Sequence, residues 1–299
     1  MTDRTEAVPS SLPAPRPHAI RRVRRAVRAP LKHCLLALCA LTMLYPVLWM
    51  VVSSLRPNSE IFRSAGLALT HPRFENYSNG WNAFSQPFSH YMINSAIVVT
   101  GAIIGNLLAC SLAAYAFARL EFRAKRVLFA IMLVTIMLPI HVIIVPQYVL
   151  YSELGWVNTF LPLIVPKFLA TDAFFIFLMV QFFRGIPREL DEAAMMDGCS
   201  AWRIYWKIML PLSLPVLATA AIFSFIWTWD DFFGPLIYLN DMNTYTIQLG
   251  LRTFVDSTSA SDWGGLFAMS TLTLVPVFFF FLFFQRLLIE GIATTGMKR

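Results

Sequence analysis

The sequence carries very little charge for its length. Only 14% of its 299 residues are Asp, Glu, Lys or Arg, whereas 57% are hydrophobic and 14% are aromatic. Soluble domains carry about 25% charged residues, so this composition argues against an ordinary soluble domain. It indicates a chain that lies mostly within a lipid bilayer.

Motifs for the common catalytic chemistries are also missing. No lysine follows a glycine, so there is no Gly-Lys-Ser/Thr loop to hold nucleotide phosphates. His-Glu-x-x-His and Gly-x-Ser-x-Gly do not occur. The four cysteines lack the paired Cys/His spacing of a zinc site. We therefore predict that the chain is not an enzyme, and we expect no catalytic residue, no metal site and no cofactor.

Six apolar stretches are long enough to cross a bilayer as helices, which takes roughly 17–25 residues each. They cover residues 34–55, 94–117, 127–149, 158–182, 211–238 and 266–288. The sequence thus predicts an all-α, polytopic membrane protein with six transmembrane helices.

Lysine and arginine are distributed unevenly between these stretches. Nineteen lie on one predicted side of the membrane and four on the other, with Lys167 inside the fourth stretch. Because positively charged loops stay in the cytoplasm, both termini are predicted to be cytoplasmic. Residues 1–33 form a basic, Pro-rich tail, which we expect to be disordered and to contact anionic membrane lipid, not nucleic acid.

A charged stretch separates the fourth and fifth apolar stretches. It reads DEAAMMDGCSAWRIYWKIMLP from residue 191 to residue 211. Acids at its start suit the positive end of a helix, Gly198 suits a left-handed turn, and Ser200 suits the cap of a second helix. Pro211 would interrupt that helix before the fifth span. We predict helix, turn and helix at the membrane surface. The first helix carries a face of mostly small residues: Leu190, Ala193, Ala194 and Asp197.

This stretch resembles the EAA signature of the membrane permeases of bacterial ABC importers. The matching residues are Glu192, Ala193, Ala194, Gly198, Ile208, Leu210 and Pro211. In that family the segment docks on a separate ATP-hydrolysing subunit, so the resemblance implies that these residues couple the chain to an ATPase. The segments NSAIVV, MLPIHVIIVPQYVLYSELGWVNT and WTWDDFFGPLIYL are similar to the carbohydrate-uptake branch, which includes the smaller maltose-system permease. The ending GIATTGMKR resembles the Gly-Thr-Gly-Lys tail of the family, with Arg299 in place of its last glycine.

The resemblance implies a type I ABC importer permease fold for residues 34–299, with the coupling loop at 183–211, in the bacterial inner membrane. It implies three kinds of protein partner: a second homologous permease, two ATP-binding subunits that bind the ATP, and an extracytoplasmic solute-binding protein. The implied function is half of the translocation pathway for a sugar or sugar derivative. An importer for another solute, such as a glycerol-phosphate ester or a polyamine, and an ion-coupled secondary transporter are the alternatives.

Aromatic and acidic residues cluster near the outer end of the fifth span. They are Trp227, Trp229, Asp230 and Asp231. Ionisable residues within spans are costly and usually face a cavity or a partner. Rings can stack on a sugar while carboxylates accept its hydroxyl groups, so we predict these four as substrate-pathway residues. The alternatives are that Asp230 and Asp231 cap a helix end or pair with the partner permease.

One further pair of charged residues lies in the fourth span. Lys167 and Asp172 are five positions apart and would fall on different faces of a continuous helix. We therefore expect no ion pair between them.

Overall fold

The computed structural model describes residues 17–63, 65–255 and 262–296, and side chains within 32–285 of those ranges. Within the described residues every regular element is helical, which confirms the predicted all-α class. The α-helices are α1 (Pro17–Ser53), α2 (Asn58–Ile61), α3 (Glu75–Trp81), α4 (Phe88–Gly105), α5 (Ser111–Arg119), α6 (Lys125–Thr135), α7 (Ile140–Glu153), α8 (Leu161–Ile164), α9 (Ala173–Gly185), α10 (Glu189–Met196), α11 (Ala201–Ile204), α12 (Leu210–Leu212), α13 (Leu214–Trp229), α14 (Phe233–Tyr238), α15 (Ile247–Arg252) and α16 (Trp263–Gly296). Asn106–Cys110 and Tyr205–Met209 are π-helical, and Val165–Leu169 and Met242–Thr244 are 3₁₀-helical.

Four helical segments are long and apolar enough to cross a membrane by themselves: Lys32–Ser53, Phe88–Arg119, Leu161–Gly185 and Trp263–Gln285. Two further segments are pairs of helices joined at a bend: Lys125–Thr135 with Ile140–Glu153, and Ala201–Leu212 with Leu214–Trp229. Counting each bent pair as one span gives six, which is the predicted number.

The predicted third span is sharply bent. Helices α6 and α7 meet at 100°. Pro139 precedes α7 in an extended conformation. Proline has no N–H to donate and disfavours helical geometry in the residue before it, so one helix ends and another begins here. The apolar composition of residues 127–149 gave no sign of this bend, because hydropathy does not depend on helix direction.

The predicted fifth span is interrupted twice. Helix α13 ends at Trp229 and α14 begins at Phe233. A second break at Ser213, two residues beyond Pro211, turns the segment Ala201–Leu212 against α13 by 76°. The coupling loop therefore joins the fifth span through a bend.

The amino-terminal part of the chain differs from the prediction, and both ends lie partly outside the described residues. Helix α1 begins at Pro17, so residues 17–33 of the tail predicted to be disordered are helical. Arginine and alanine, both good helix formers, are frequent in this part. Residues 1–16 lie outside the described residues. The side chains of the carboxyl-terminal segment GIATTGMKR also lie outside the described residues.

A tightly packed cluster joins α5 to α9. Its buried residues from these two helices include Ala114, Ala118, Met179, Val180 and Phe183. Small side chains on α5 let the two helix backbones approach closely. Tyr205 and Met209, which are fully buried, add the segment after α11 to the same cluster.

Candidate coupling surface and substrate cavity

Residues 183–211, the coupling segment, form the predicted helix, turn and helix. Helix α10 carries its acids in the first turn. Gly198 has a φ of 79°, in the left-handed region that favours glycine. The side chain of Ser200 accepts a hydrogen bond from the backbone N–H of Arg203 at 3.4 Å and caps α11. These local features are the ones that the sequence predicted.

The seven signature residues divide into two groups. Four are exposed: Glu192, Ala193, Gly198 and Pro211. Ala194 is only 7% exposed, and Ile208 and Leu210 are partly buried; all three pack on the α5–α9 cluster. The predicted small-residue face of α10 is therefore split, because Ala194 turns inward. The signature both attaches the segment to its own bundle and presents a free surface.

The free surface of the coupling segment is apolar as well as charged. Its exposed large side chains are Leu190, Met195, Met196, Trp202 and Trp206. Met196 is 89% exposed and Trp202 is 60% exposed. A cluster of exposed apolar residues suits contact with another protein.

An ion pair that the sequence analysis missed attaches α10 to the bundle. The Nη1 atom of Arg119 lies 3.2 Å from Oδ2 of Asp191, and the Arg119 side chain is only 4% exposed. Its other terminal nitrogen donates to the backbone carbonyls of Phe183 at 2.8 Å and Ile186 at 2.6 Å. Arg119 was counted only as a cytoplasmic charge. The nearest signal in the sequence was its position at the end of the second span.

A cavity of about 380 Å³ lies among the second to fifth spans. Of the four predicted substrate-pathway residues, Trp227 and Asp231 line it. Trp227 is half exposed. Trp229 is only 5% exposed and stacks on Phe225 with 5.4 Å between the ring centroids, so it belongs to the core. Asp230 is exposed and lies outside the cavity lining.

Asp231 also caps a helix end, which was one of the alternative interpretations of this residue. Its Oδ1 accepts a hydrogen bond from the backbone N–H of Gly234 at 3.0 Å, so the carboxylate holds the first turn of α14. A Cβ at Gly234 would lie 2.6 Å from Oδ2 of Asp231. The cap fixes this carboxylate at the cavity wall, so the two roles are compatible.

The expectation that Lys167 and Asp172 do not pair is wrong. Nζ of Lys167 lies 2.9 Å from Oδ2 of Asp172, and both residues line the cavity. The helix is not continuous between them. Residues Val165–Leu169 form a 3₁₀ turn, and Ala170 has a φ of 54° in the left-handed region. This turn brings the two side chains to the same side.

Uncharged polar side chains complete the cavity wall. The Tyr238 hydroxyl donates to Oε1 of Gln147 at 3.4 Å, joining α14 to α7. The other uncharged polar residues in the lining are Ser95, Tyr151, Thr171, Thr228 and Thr246. They come from the second to fifth spans and, for Thr246, from the residue before α15. Isolated hydroxyl groups are common in membrane helices, so nothing in the sequence distinguished them.

Comparison with known proteins decides the family. Residues 105–293 match the family described as binding-protein-dependent transport system inner membrane component. The chain belongs to this family. It is a multi-pass permease component of an ABC importer in the inner membrane.

Two relatives match over nearly their whole length. The diacetylchitobiose uptake system permease protein NgcG of Streptomyces coelicolor is 34% identical over 272 residues, which cover 91% of this chain and 89% of that protein. The arabinooligosaccharides transport system permease protein AraQ of Halalkalibacterium halodurans is 31% identical over 264 residues, covering 88% and 94%.

A solved structure has the same fold. It is the crystal structure of a bacterial ABC transporter involved in the import of the acidic polysaccharide alginate. The match has a TM-score of 0.75 and covers 87% of this permease and 96% of that chain, at 22% sequence identity. This permease thus shares its fold with a chain of that transporter.

Proposed function

We propose that this chain forms one half of the pathway through which an ABC importer takes up a sugar or sugar derivative. The proposed coupling to an ATPase is supported by one observation: some residues of the coupling segment pack on the helix bundle and others are exposed. Ala194, Ile208 and Leu210 hold it to the bundle. Glu192, Ala193 and the exposed apolar residues beside them remain for a partner.

The partner that fits this surface is an ATP-binding subunit. The complete importer would contain two such subunits, which bind the ATP, together with a second homologous permease and an extracytoplasmic solute-binding protein. In this arrangement both termini and the coupling segment lie on the cytoplasmic side, as the distribution of Lys and Arg favours. The chain itself needs no cofactor, and residues 34–299 constitute the permease domain.

The cavity favours a polyhydroxylated substrate. Trp227 offers a half-exposed indole ring, and Asp231 offers a carboxylate held at a fixed position. Gln147 and the hydroxyl groups in the lining add neutral donors and acceptors. Aromatic faces with a few convergent polar groups are typical of small-molecule sites. The names of the relatives, which refer to diacetylchitobiose and arabinooligosaccharides, favour a saccharide as well.

The charges of the cavity argue against a phosphate ester. Lys167 is already paired with Asp172, and Asp231 adds a second carboxyl group. No cation in the described lining is left over to pair with a phosphate. A polyamine is positively charged, so the carboxylates of the cavity would not repel it, and it stays as the second candidate. An ion-coupled secondary transporter would not need the exposed apolar coupling surface.

The test is affinity purification of the chain from native membranes, followed by mass spectrometry of the proteins that accompany it. We expect an ATPase, a second permease and a solute-binding protein. The binding protein is then screened against di- and oligosaccharides, glycerol phosphate and spermidine. Recovery of the chain alone, with uptake that depends on the proton gradient, would refute the importer. Selective binding of spermidine would refute the saccharide.

A further inference from the structure

The second span, including its π-helical turn Asn106–Cys110, carries four polar side chains along one face. We name them the polar ladder: Asn106, Ser111, Tyr115 and Arg119. Arg119 pairs with Asp191 as described above. The Tyr115 hydroxyl donates to the backbone carbonyl of Ala201 at 3.1 Å. The Ser111 hydroxyl is hydrogen bonded to the Tyr205 hydroxyl at 2.7 Å.

The π-helical turn brings the fourth residue into line. Ser111, Tyr115 and Arg119 are spaced by four, so they follow one face of α5. Asn106 is five residues before Ser111, but Asn106–Cys110 is a π turn, in which the repeat is one residue longer. Asn106 therefore shares the face, and its Nδ2 donates to Oγ of Ser224 on α13 at 3.0 Å.

The ladder holds both helices of the coupling segment. Asp191 belongs to α10, Ala201 opens α11, and Tyr205 begins the second π turn. The Tyr205 side chain is fully buried, and its ring lies 5.3 Å from the Tyr115 ring. At its lower end the ladder also reaches α9, because Arg119 donates to the carbonyls of Phe183 and Ile186.

The covalent connection to the fifth span is a poor route for transmitting a displacement of the coupling segment. From the coupling segment the chain enters the fifth span through the break at Ser213, where the helix axis turns by 76°. Helices bend where their backbone hydrogen-bond pattern is interrupted, so a displacement can change the angle at this bend without moving the fifth span. The ladder bypasses this bend and connects the segment, together with the end of α9 from which it continues, directly to the second span.

We infer that the polar ladder transmits the movement of the coupling segment to the second and fourth spans, with Arg119 as the positioning residue at its base. This inference rests on the proposed coupling function. The segment, α5 and the end of α9 then move as one body when an ATPase displaces the segment. Arginine suits this position because its planar fork serves three acceptors on two different elements, which a lysine ammonium on a flexible stem does not reproduce.

The experiment uses the complete importer, purified from its host and reconstituted in nanodiscs. Phosphate release from MgATP is measured with and without the co-purified solute-binding protein. The variants are Arg119→Lys, Ser111→Ala, Tyr205→Phe and the last two combined. Arg123→Lys, in the exposed turn after α5, is the matched control.

We expect Arg119→Lys, Ser111→Ala, Tyr205→Phe and the combined variant to retain their ATPase subunits and their basal phosphate release. Stimulation by the binding protein should fall by about 5-fold or more for Arg119→Lys, which is the range of a typical coupling between sites, and should not change for Arg123→Lys. Ser111→Ala and Tyr205→Phe should show the same smaller loss singly and combined, because they remove one shared contact.

Three results would overturn the inference. One is wild-type stimulation in the ladder variants. Another is additive losses in the combined variant. The third is loss of the ATPase subunits from the Arg119→Lys complex, which would mean that the pair only shapes the docking surface. If Arg119→Lys does not accumulate in the membrane, the Ser111 and Tyr205 cycle decides. A wild-type chain that purifies without any ATPase would instead refute the proposed function.

Discussion

Lys167 and Asp172 form an ion pair at 2.9 Å across a turn that interrupts the fourth span. The Lys167 side chain is 29% exposed and that of Asp172 is 27% exposed, so the pair is half-buried in the cavity wall. Asp172 also precedes α9 directly. The pair therefore closes the 3₁₀ turn and sets the direction in which the lower half of the span leaves it.

Breaking this pair should destabilise the permease. For Lys167→Met we expect a loss of about 1–3 kcal/mol, because the half-buried Asp172 carboxylate loses its partner. The swapped pair Lys167→Asp with Asp172→Lys should recover part of the loss. Thermal unfolding in detergent measures both. Equal midpoints for wild type and Lys167→Met would show that the contact contributes nothing to stability.

The two adjacent acids of the fifth span should behave differently. Asp231→Asn keeps the acceptor for the Gly234 N–H but removes the charge at the cavity wall. Loss of one charge-assisted hydrogen bond, about 1.5–3 kcal/mol, should raise the KM for sugar uptake by about tenfold or more. Asp230→Asn, outside the cavity, is the control and should leave KM unchanged. An unchanged KM for Asp231→Asn, at equal expression, would remove it from the pathway.

The two tryptophans of α13 separate stability from transport. Trp229→Ala removes a buried ring stacked on Phe225 and should cost about 3–5 kcal/mol of stability. Trp227→Ala removes a half-exposed ring from the cavity and should raise KM several-fold at a much smaller cost in stability. Unfolding midpoints and uptake kinetics of both variants test this, and the reverse pattern would contradict the assignment of Trp227 to the pathway.

Two glycines provide a matched test of the turn in the coupling segment. An added Cβ meets nothing within 4 Å at either Gly198 or Gly185, but only Gly198 has a positive φ. Gly198→Ala should therefore cost about 1–2 kcal/mol in backbone strain and lower uptake. Gly185→Ala, at the end of α9, should have little effect. Uptake assays on membranes with equal amounts of permease measure the difference, and equal uptake by the two variants would exclude a role for the left-handed turn.

The parts that the sequence predicted are those that depend on local chemistry. Gly198 and Ser200 mark the turn and the cap of the coupling segment because few residues tolerate a left-handed φ or supply a side-chain acceptor at a helix start. The apolar spans followed from hydropathy, and the all-α class followed from the spans.

The features that the sequence did not predict depend on where a helix is interrupted or on which distant residues contact it. The rule that residues five apart do not meet assumes a continuous helix, and Ala170 breaks it between Lys167 and Asp172. Pro139 was visible, but the 100° between α6 and α7 was not. Arg119 pairs with Asp191, 72 positions further along the chain, so no local pattern could show that its charge is buried.

The exposed Met195 and Met196 on the coupling segment have a consequence for how ATP drives transport. Unbranched, polarizable side chains adapt to different surroundings, so they can stay in contact with a cleft that changes shape. A surface that binds the open and the closed ATPase with equal affinity does not favour either state. In the proposed importer, nucleotide and solute would then determine whether the ATPase is open or closed. The coupling segment of this permease would stay bound in both states and favour neither.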